Sequence, residues 1–334
     1  MLIEPQADTL YRMTTTHHTH TLHSARLLDT SVDELRRQLR QRLELVEPVI
    51  VTGHQAEFCH AGVFAKTIAA DALAAKSDGS RVFLTVDTDV PKATRLAVPY
   101  VERGEVRRAF VPIPGGDPQL AMEWQPRVPV AWWRDFFERV AKLAGGDDTL
   151  LRSYADGVFS GQRDTLDVNG AMQQGYAAVE QSLGLAGTAN VRTSQLSATP
   201  EFRAFVAHLM QNAAGFAEHY NAAQRAYRSR RHERNPRRPA PLLALNGDRV
   251  ELPFWVGRAR QPRRRLSVAA GNEFVELFAD DEPIGCEPLS RLRHAANLAG
   301  GFRIEAEGWH LRPRALTLSA FARLFLSDTF VHGI

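Results

Sequence analysis

The chain has too few cysteines for a disulfide framework. It contains two, Cys59 and Cys286, and no CxxC pair. Small secreted domains depend on several bridges, and cysteine zinc sites need clustered thiolates. The sequence therefore favours a reducing compartment and argues against a cysteine zinc site. Cys59 is a candidate nucleophile with a histidine as its base, but a small buried cysteine is the more common role.

Long apolar runs are also missing. No segment approaches the roughly 18 apolar residues of a membrane-spanning helix. The first residues, MLIEPQADTLYR, include an acid at position 4 and no apolar signal region. We therefore expect no membrane partner, no secretory signal and a cytoplasmic location. The chain stops at Ile334 without a polar tail, and we expect the true C-terminus to lie further along.

Charge is nearly balanced overall but unevenly placed. The formal net charge is +3, yet residues 225–238 contain seven arginines and residues 258–266 contain five more. Such clusters occur in nucleic-acid interfaces and equally on solvated loops. Because few aromatic residues alternate with the arginines, nucleic acid is not the favoured partner. A non-catalytic nucleotide- or RNA-binding module that uses region 225–265 remains the alternative function.

Hydrophobic periodicity predicts an α/β fold. Strand VIVTG at 49–53, a helix over about 62–76 and strand RVFLTVD at 81–87 form a βαβ unit, whose strands should be parallel. A third strand is predicted at 106–114. Asn246-Gly247 between apolar runs predicts a hairpin, with further strands near 264–269 and 273–279.

Capping signals place the helices. Ser31 and Glu34 form a capping box ahead of an apolar stripe that reaches Val46. Thr199, followed by Pro200, begins a stripe that we expect to form one long helix through Tyr227.

Four segments follow from this pattern. We expect an irregular N-terminal arm over 1–30, the first part of a Rossmann-like parallel-sheet core over 31–128, a helical insertion over 129–240, and β hairpins with a return to the core over 241–334. The arm carries a histidine tract, His17, His18, His20 and His23. That tract is either a metal site or a loosely packed arm.

The joint between the first strand and its helix reads VTGHQAEFCHAG at 51–62. Open α/β sheets bind ligands at such strand ends, and a helix amino end favours phosphate. Gly53 permits a tight turn and Gly62 a close approach of the backbone. The candidate phosphate-binding residues are Gly53, His54, Gln55, His60, Gly62 and Lys66. The alternative is that one histidine caps the helix and the other packs in the loop.

Asp87 and Asp89 follow the second strand in TVDTDVPK. If the two strands are parallel, these carboxylates open toward His54. They are candidates to hold a magnesium–nucleotide complex or a substrate amine, and one could act as general base. The alternative is N-capping and loop hydrogen bonding.

The last residues offer candidate substrate contacts. Arg312 and Arg314 in LRPR could clamp a carboxylate or phosphate. Asp328 and His332 lie four residues apart, and we expect them on one face near the end of the last helix.

The two phrases VIVTGHQAEFCHAGVFAK and FLTVDTDVPK resemble the bacillithiol biosynthesis cysteine-adding enzyme family. Gly53 and Gln55 match its TG-x-Q loop, Lys66 its helix lysine, and Asp87 with Asp89 its acidic loop. Its late L-x-R-P element is echoed by Leu311, Arg312 and Pro313. The resemblance implies a Rossmann-like core with a helical insertion, an ADP-type nucleotide site, and amide formation between cysteine and a glucosaminyl malate.

The segment His60-Ala61-Gly62-Val63 is similar to the H-x-G-H signature of the nucleotidyltransferase superfamily, with Val63 at the second histidine. Together these features predict a ligase- or transferase-type enzyme that binds ATP or ADP, with or without Mg²⁺. His54, Asp87 and Asp89 are the catalytic candidates. The substrate is expected to be a small amine or carboxylate with an anionic group, and the sequence leaves homodimer formation open.

Overall fold

The computed structural model describes residues 9, 11, 12, 14, 25–58, 61–145, 148–160, 165–185 and 187–332. The protein is of mixed α/β class, with one parallel sheet, several antiparallel sheets and helices. This confirms the predicted α/β class and the parallel pairing of the first two core strands.

The helices and strands are numbered here in chain order. The helices are α1 Val32–Arg42, α2 Ala61–Ser77, α3 Val130–Ala144, α4 Thr149–Phe159, α5 Val168–Ser182, α6 Thr193–Leu196, α7 Pro200–Gln211, α8 Ala213–Arg231, α9 Leu289–Leu292, α10 Arg303–Ala306 and α11 Ala315–Phe321. The shorter helical turns are Met122–Trp124, Ala295–Leu298 and the π-helical Ala322–Leu326.

The strands alternate with these helices in the first half and dominate residues 245–288. They are β1 Arg26–Leu27, β2 Thr30–Ser31, β3 Val49–His54, β4 Ser80–Thr85, β5 Arg95–Glu102, β6 Glu105–Pro112, β7 Val128–Pro129, β8 Thr165–Leu166, β9 Ala189–Arg192, β10 Leu245–Asn246, β11 Arg249–Arg258, β12 Arg264–Ala270, β13 Phe274–Ala279, β14 Glu282–Pro288, β15 Trp309–Pro313 and β16 Thr329–Phe330.

Two compact units interleave along the chain. Unit 1 comprises Met1–Tyr11, Val46–Ser194 and Thr329–Ile334. Unit 2 comprises Arg12–Leu45 and Gln195–Asp328. The parallel sheet belongs to unit 1, and the large antiparallel sheet belongs to unit 2.

The parallel sheet of unit 1 has the strand order β16-β3-β4-β9. Val51 pairs with Val82 in β4, and all three neighbouring pairs run parallel. The first three residues of β3, Val49 to Val51, are fully buried, as expected of a strand covered on both faces. Helix α2 packs Ala70 and Leu73 against Ile50.

The rest of unit 1 adds a hairpin and a helical layer. Strands β5 and β6 pair antiparallel, so the predicted third strand lies in a hairpin and not in the parallel sheet. Helices α3, α4 and α5 bury a core whose largest side chains are aromatic. This core includes Trp133, Phe136, Phe137, Tyr154 and Met172.

Unit 2 is built on an antiparallel sheet with the order β10-β11-β12-β13-β14, in which β15 also pairs with β11. The predicted hairpin is present, although its two loop residues are Gly247 and Asp248, because Asn246 pairs with Arg249 at the end of β10. Gly247 has a φ of +64° that favours glycine. Five phenylalanines from α7, β11, α11 and the π-helical turn form an aromatic cluster. They are Phe202, Phe205, Phe254, Phe321 and Phe325.

The predicted helix starts are confirmed. The Ser31 hydroxyl accepts a hydrogen bond from the Glu34 N–H, and Thr199 does the same for Phe202. The predicted end of α1 is wrong, because the helix stops at Arg42. Glu44 takes a φ of +55°, and its N–H and that of Leu45 bond back to carbonyls of the last turn, a Schellman motif.

Two other predicted helices are shorter than their patterns suggest. The stripe that begins at Thr199 is broken at Asn212, which separates α7 from α8. The last helical segment ends at Leu326, after which β16 pairs in parallel with β3. Beyond Asn212 the apolar spacing continues with Phe216 and Tyr220, which are half-buried, and with Tyr227, which is exposed. Among the described residues, none of the helices combines the length and apolar character that a bilayer crossing needs.

Candidate functional site

The carboxyl ends of the four parallel strands lie at one edge of the unit 1 sheet. His54 ends β3 opposite Thr85, which ends β4, and Thr85 lies opposite Arg192, which ends β9. On the other side of β3, the Val331 N–H after β16 donates to the Val51 carbonyl at 2.8 Å. After β3 the chain adds β4 and then β9 on one side of β3, and it later adds β16 on the other side of β3. The switch point of the sheet therefore lies at β3, where open α/β sheets bind ligands.

His54 occupies this edge with charged neighbours. Its Nδ1 lies 3.5 Å from Oε1 of Glu57, and its Nε2 lies 3.4 Å from Nζ of Lys92. Burial, reinforced by the positive charges of Lys92 and Lys66, lowers the pKa of His54 to about 4. His54 is therefore neutral near pH 7. In this neutral form the ring can donate only one hydrogen bond.

Glu57 and Lys92 are site residues that the sequence analysis did not predict. Glu57 lies in the stretch VTGHQAEFCHAG at 51–62, and Lys92 ends the stretch TVDTDVPK at 85–92. Lys92 Nζ lies 3.6 Å from Oε1 of Glu57, and its side chain is 59% exposed. Burial raises the pKa of the Glu57 carboxyl. The sequence signal for both residues is an ionisable side chain within a few residues of a strand end, since Glu57 follows β3 and Lys92 follows β4.

Lys66 reaches the loop from α2, as predicted. Its ammonium donates to the Gly53 carbonyl at 3.1 Å. Gly53 is needed for a different reason from the predicted tight turn. It pairs within β3 at an ordinary φ, and an added Cβ would lie 2.4 Å from the Leu84 carbonyl oxygen of β4. Gly62 is the second residue of α2 and is exposed.

The Gln55 side chain is buried, and of its two amide atoms only the nitrogen has a hydrogen-bond partner among the described residues. Its Nε2 donates to the Val90 carbonyl at 2.9 Å, which connects the β3–α2 loop to the loop after β4. Its Oε1 is buried and has no hydrogen-bond partner among the described residues. Buried polar atoms are nearly always paired, so an unpaired acceptor at a strand end calls for an explanation.

The two aspartates differ in their surroundings. Asp87 is buried, and its two carboxylate oxygens accept from the N–H of Ser194 at 2.9 Å and from its hydroxyl at 2.5 Å. The backbone of this loop is also held, since the Asp87 and Asp89 carbonyls accept from the N–H groups of Glu123 and Met122. The described residues contain no cluster of three or more side chains that could hold a metal ion.

A pocket with about 450 Å³ of empty space adjoins the loop after β3. Its polar lining comes from Gln55, Glu57, Thr94 and Gln125, and Gly115 and Gly116 belong to the loop after β6. Most other walls are apolar, including Ile113, Pro114, Met122, Val168 and Met172. Every lining residue belongs to unit 1.

The arginines predicted to bind substrate belong to unit 2, where they have protein partners. Arg314 pairs with the buried Glu251 at 2.7 Å, and its guanidinium lies 4.5 Å from the ring centroid of Trp255. Arg312 lies opposite Trp255 across β11 and β15 and donates to the Leu311 carbonyl at 3.1 Å.

Asp328 and His332 do not share a helix face, contrary to the prediction. Asp328 belongs to unit 2, where its buried carboxylate pairs with Arg36 at 2.5 Å and Arg40 at 3.0 Å. His332 belongs to unit 1, follows β16, and stacks on Phe330 with ring centroids 5.8 Å apart. It is exposed at the same sheet edge as His54.

Some candidates lie outside the described residues. They are His60, Cys59 and the tract His17, His18, His20 and His23. No family model matches the chain, and no curated protein matches its sequence at a significant level.

Proposed function

We propose that unit 1 is a Rossmann-like domain that binds a nucleotide, ATP or ADP, and that the protein is a ligase- or transferase-type enzyme acting on a small amine or carboxylate. The observation that carries the proposal is the convergence of His54, Asp87, Arg192 and His332 on the carboxyl edge of one parallel sheet with its switch point at β3. Distant kinship with the cysteine-adding enzyme family is part of the same proposal.

The phosphates are assigned to the loop between β3 and α2. Gly53, Gly62 and Lys66 would hold them, because the loop leads into the amino end of a 17-residue helix and carries an ammonium group. Gln55, predicted as a phosphate ligand, is left out because its only amide donor atom is engaged by the Val90 carbonyl. Neutral His54 would add a hydrogen bond. An anionic ligand there would also raise the pKa of His54, since it opposes the effect of the neighbouring lysines.

The aspartates do not fit a magnesium site made by the protein alone. Both oxygens of Asp87 are engaged by Ser194, which leaves Asp89 as the remaining carboxylate of the pair. Mg²⁺ commonly reaches such sites already bound to nucleotide phosphates. We assign Asp87 the role of positioning the turn at α6, and Asp89 the role of orienting the substrate.

The alternative, an RNA-binding module built on region 225–265, has less support. Arg228 donates to main-chain carbonyls of residues 236, 238 and 240, and Arg264 pairs with Asp280. Arg263 lies 4.5 Å from the ring centroid of Trp255. Several of these arginines therefore have intramolecular partners, which reduces the charge they can offer to phosphates.

Calorimetric titration with ATP, ADP and AMP tests the proposal. We expect the wild-type protein to bind at least one of them, and Lys66→Met to weaken that binding about tenfold or more, because a charge-assisted contact contributes about 1.5–3 kcal/mol. Lys142→Met, an exposed lysine of α3, is the matched control and should bind as the wild type does. Absence of binding by all three nucleotides contradicts the proposal.

A further inference from the structure

We propose that the pocket beside Gln55 binds an amino group carried on an apolar body. The inference deepens the proposed function, because the pocket is lined by the β3–α2 loop, and it rests on that function for its place in a reaction. The juxtaposition that supports it is a buried acceptor with no partner among the described residues and a carboxylate, both on residues that line a largely apolar pocket.

The orientation of the Gln55 amide decides which group it can recognise. Its Nε2 is committed to the Val90 carbonyl at 2.9 Å, so the amide cannot turn its nitrogen into the pocket without breaking that bond. The oxygen is left as an acceptor with no partner among the described residues, on a side chain that is 97% buried. A ligand must therefore bring a donor to satisfy it.

Glu57 supplies a second acceptor on the same wall. Its carboxylate oxygen is shared by Lys92 at 3.6 Å and by the His54 ring at 3.5 Å, and the residue lines the pocket. The Thr94 hydroxyl and the Gln125 amide also line the pocket, and the Gln125 Nε2 already donates to the Asp117 and Leu120 carbonyls. Because the described lining contains a carboxylate and no cationic side chain, it favours an amine over a carboxylate or phosphate. The anionic part of a nucleotide would instead meet Lys66 and Lys92 outside it.

The apolar walls define the rest of the ligand. Ile113, Pro114, Met122, Val168 and Met172 offer methyl, methylene and thioether groups to whatever carries the amine. A ring or short aliphatic chain buries apolar surface against them, which contributes about 25 cal/mol per Å² removed from water. Thioethers adapt to flat rings, so aromatic bodies are favoured.

Two kinds of ligand could supply this amino group. The exocyclic amine of an adenine base belongs to the nucleotide, and an aliphatic amine belongs to a separate substrate. Matched pairs of ligands distinguish them: adenosine against inosine, in which an acceptor replaces the amine, and 2-phenylethylamine against 3-phenylpropionate, in which a carboxylate replaces it.

The experiment is calorimetric titration of the full chain with these four compounds. We expect the amine of at least one pair to bind about tenfold or more tightly than its partner. Gln55→Met removes the acceptor and should reduce that affinity about tenfold. Ala93→Leu, at an exposed position that lines the pocket, should abolish it without disturbing the core. Ala97→Leu, an exposed alanine outside the pocket lining, is the matched control.

The inference is overturned if neither pair shows selectivity for the amine, or if Ala93→Leu binds like Ala97→Leu. Selectivity in the adenosine pair assigns the pocket to the base, and selectivity in the other pair assigns it to an amine substrate. Failure here leaves the proposed function standing if ATP still binds the wild type. Conversely, amine binding without any ATP binding supports the pocket and refutes the nucleotide proposal.

Discussion

Removal of the Lys92 charge should raise the pKa of His54. The two groups are 3.4 Å apart, and burial together with Lys92 holds the His54 pKa at about 4. Because the Lys92 side chain is 59% exposed, water screens the pair, and the interaction is about 1.2 kcal/mol, close to the value in bulk water. One pKa unit corresponds to 1.36 kcal/mol. We therefore expect Lys92→Met to raise the pKa of His54 from about 4 to about 5.

The assay is NMR titration of the imidazole carbon-bound protons, with His54→Gln used to assign the resonance. Lys142→Met removes the same charge from an exposed site that does not contribute to the pKa of His54, and it should leave the titration unchanged. A wild-type His54 that titrates near 6.5 contradicts the burial argument. An unchanged pKa in Lys92→Met contradicts the assigned contact.

The same shift has a consequence for stability. The pKa of folded His54 lies below its ordinary value of 6.5, so the unfolded chain binds more protons between pH 6.5 and 4. The contribution of His54 to stability is present above pH 6.5 and is lost as pH falls toward 4. Chemical denaturation at several pH values should show that His54→Gln reduces the loss of stability in this window. An identical pH dependence in the variant contradicts the assignment.

Two further substitutions test the architecture of the strand ends. Gly53→Ala should lower the free energy of unfolding by about 1–3 kcal/mol, because its Cβ would lie 2.4 Å from the Leu84 carbonyl oxygen; Gly215→Ala, with open space around the added Cβ, should not destabilise. Ser194→Ala should cost about 1–3 kcal/mol, because one oxygen of the buried Asp87 carboxylate loses its donor. Denaturant unfolding measures both, and a wild-type midpoint for either variant contradicts the corresponding contact.

Local sequence patterns predicted the parallel strands and the hairpins because their signals are short. Val49 to Val51 form a run buried on both faces, and Gly247 supplies the positive φ of the two-residue hairpin loop Gly247-Asp248. Lys66 lies one helical turn beyond Gly62, which lets its ammonium reach back to the Gly53 carbonyl, and its role toward phosphate stays a prediction.

What the sequence could not provide depends on contacts far apart in the chain. The partner of Asp87 is Ser194, over a hundred residues away, and Asp328 is committed to Arg36 and Arg40. A local sequence pattern cannot predict ion pairs and hydrogen bonds between residues so far apart in the chain. Helix ends were overestimated for a related reason: apolar spacing reports which residues face a core and continues through breaks such as Asn212.

The central claim is that the carboxyl edge at β3 receives the nucleotide, and a crystal structure of the protein with ATP or ADP tests it most directly. We predict density for the phosphates beside Gly53 and the amino end of α2, within reach of Lys66. Nucleotide density at another part of unit 1 or in unit 2, with this edge empty at saturating concentration, would contradict the account.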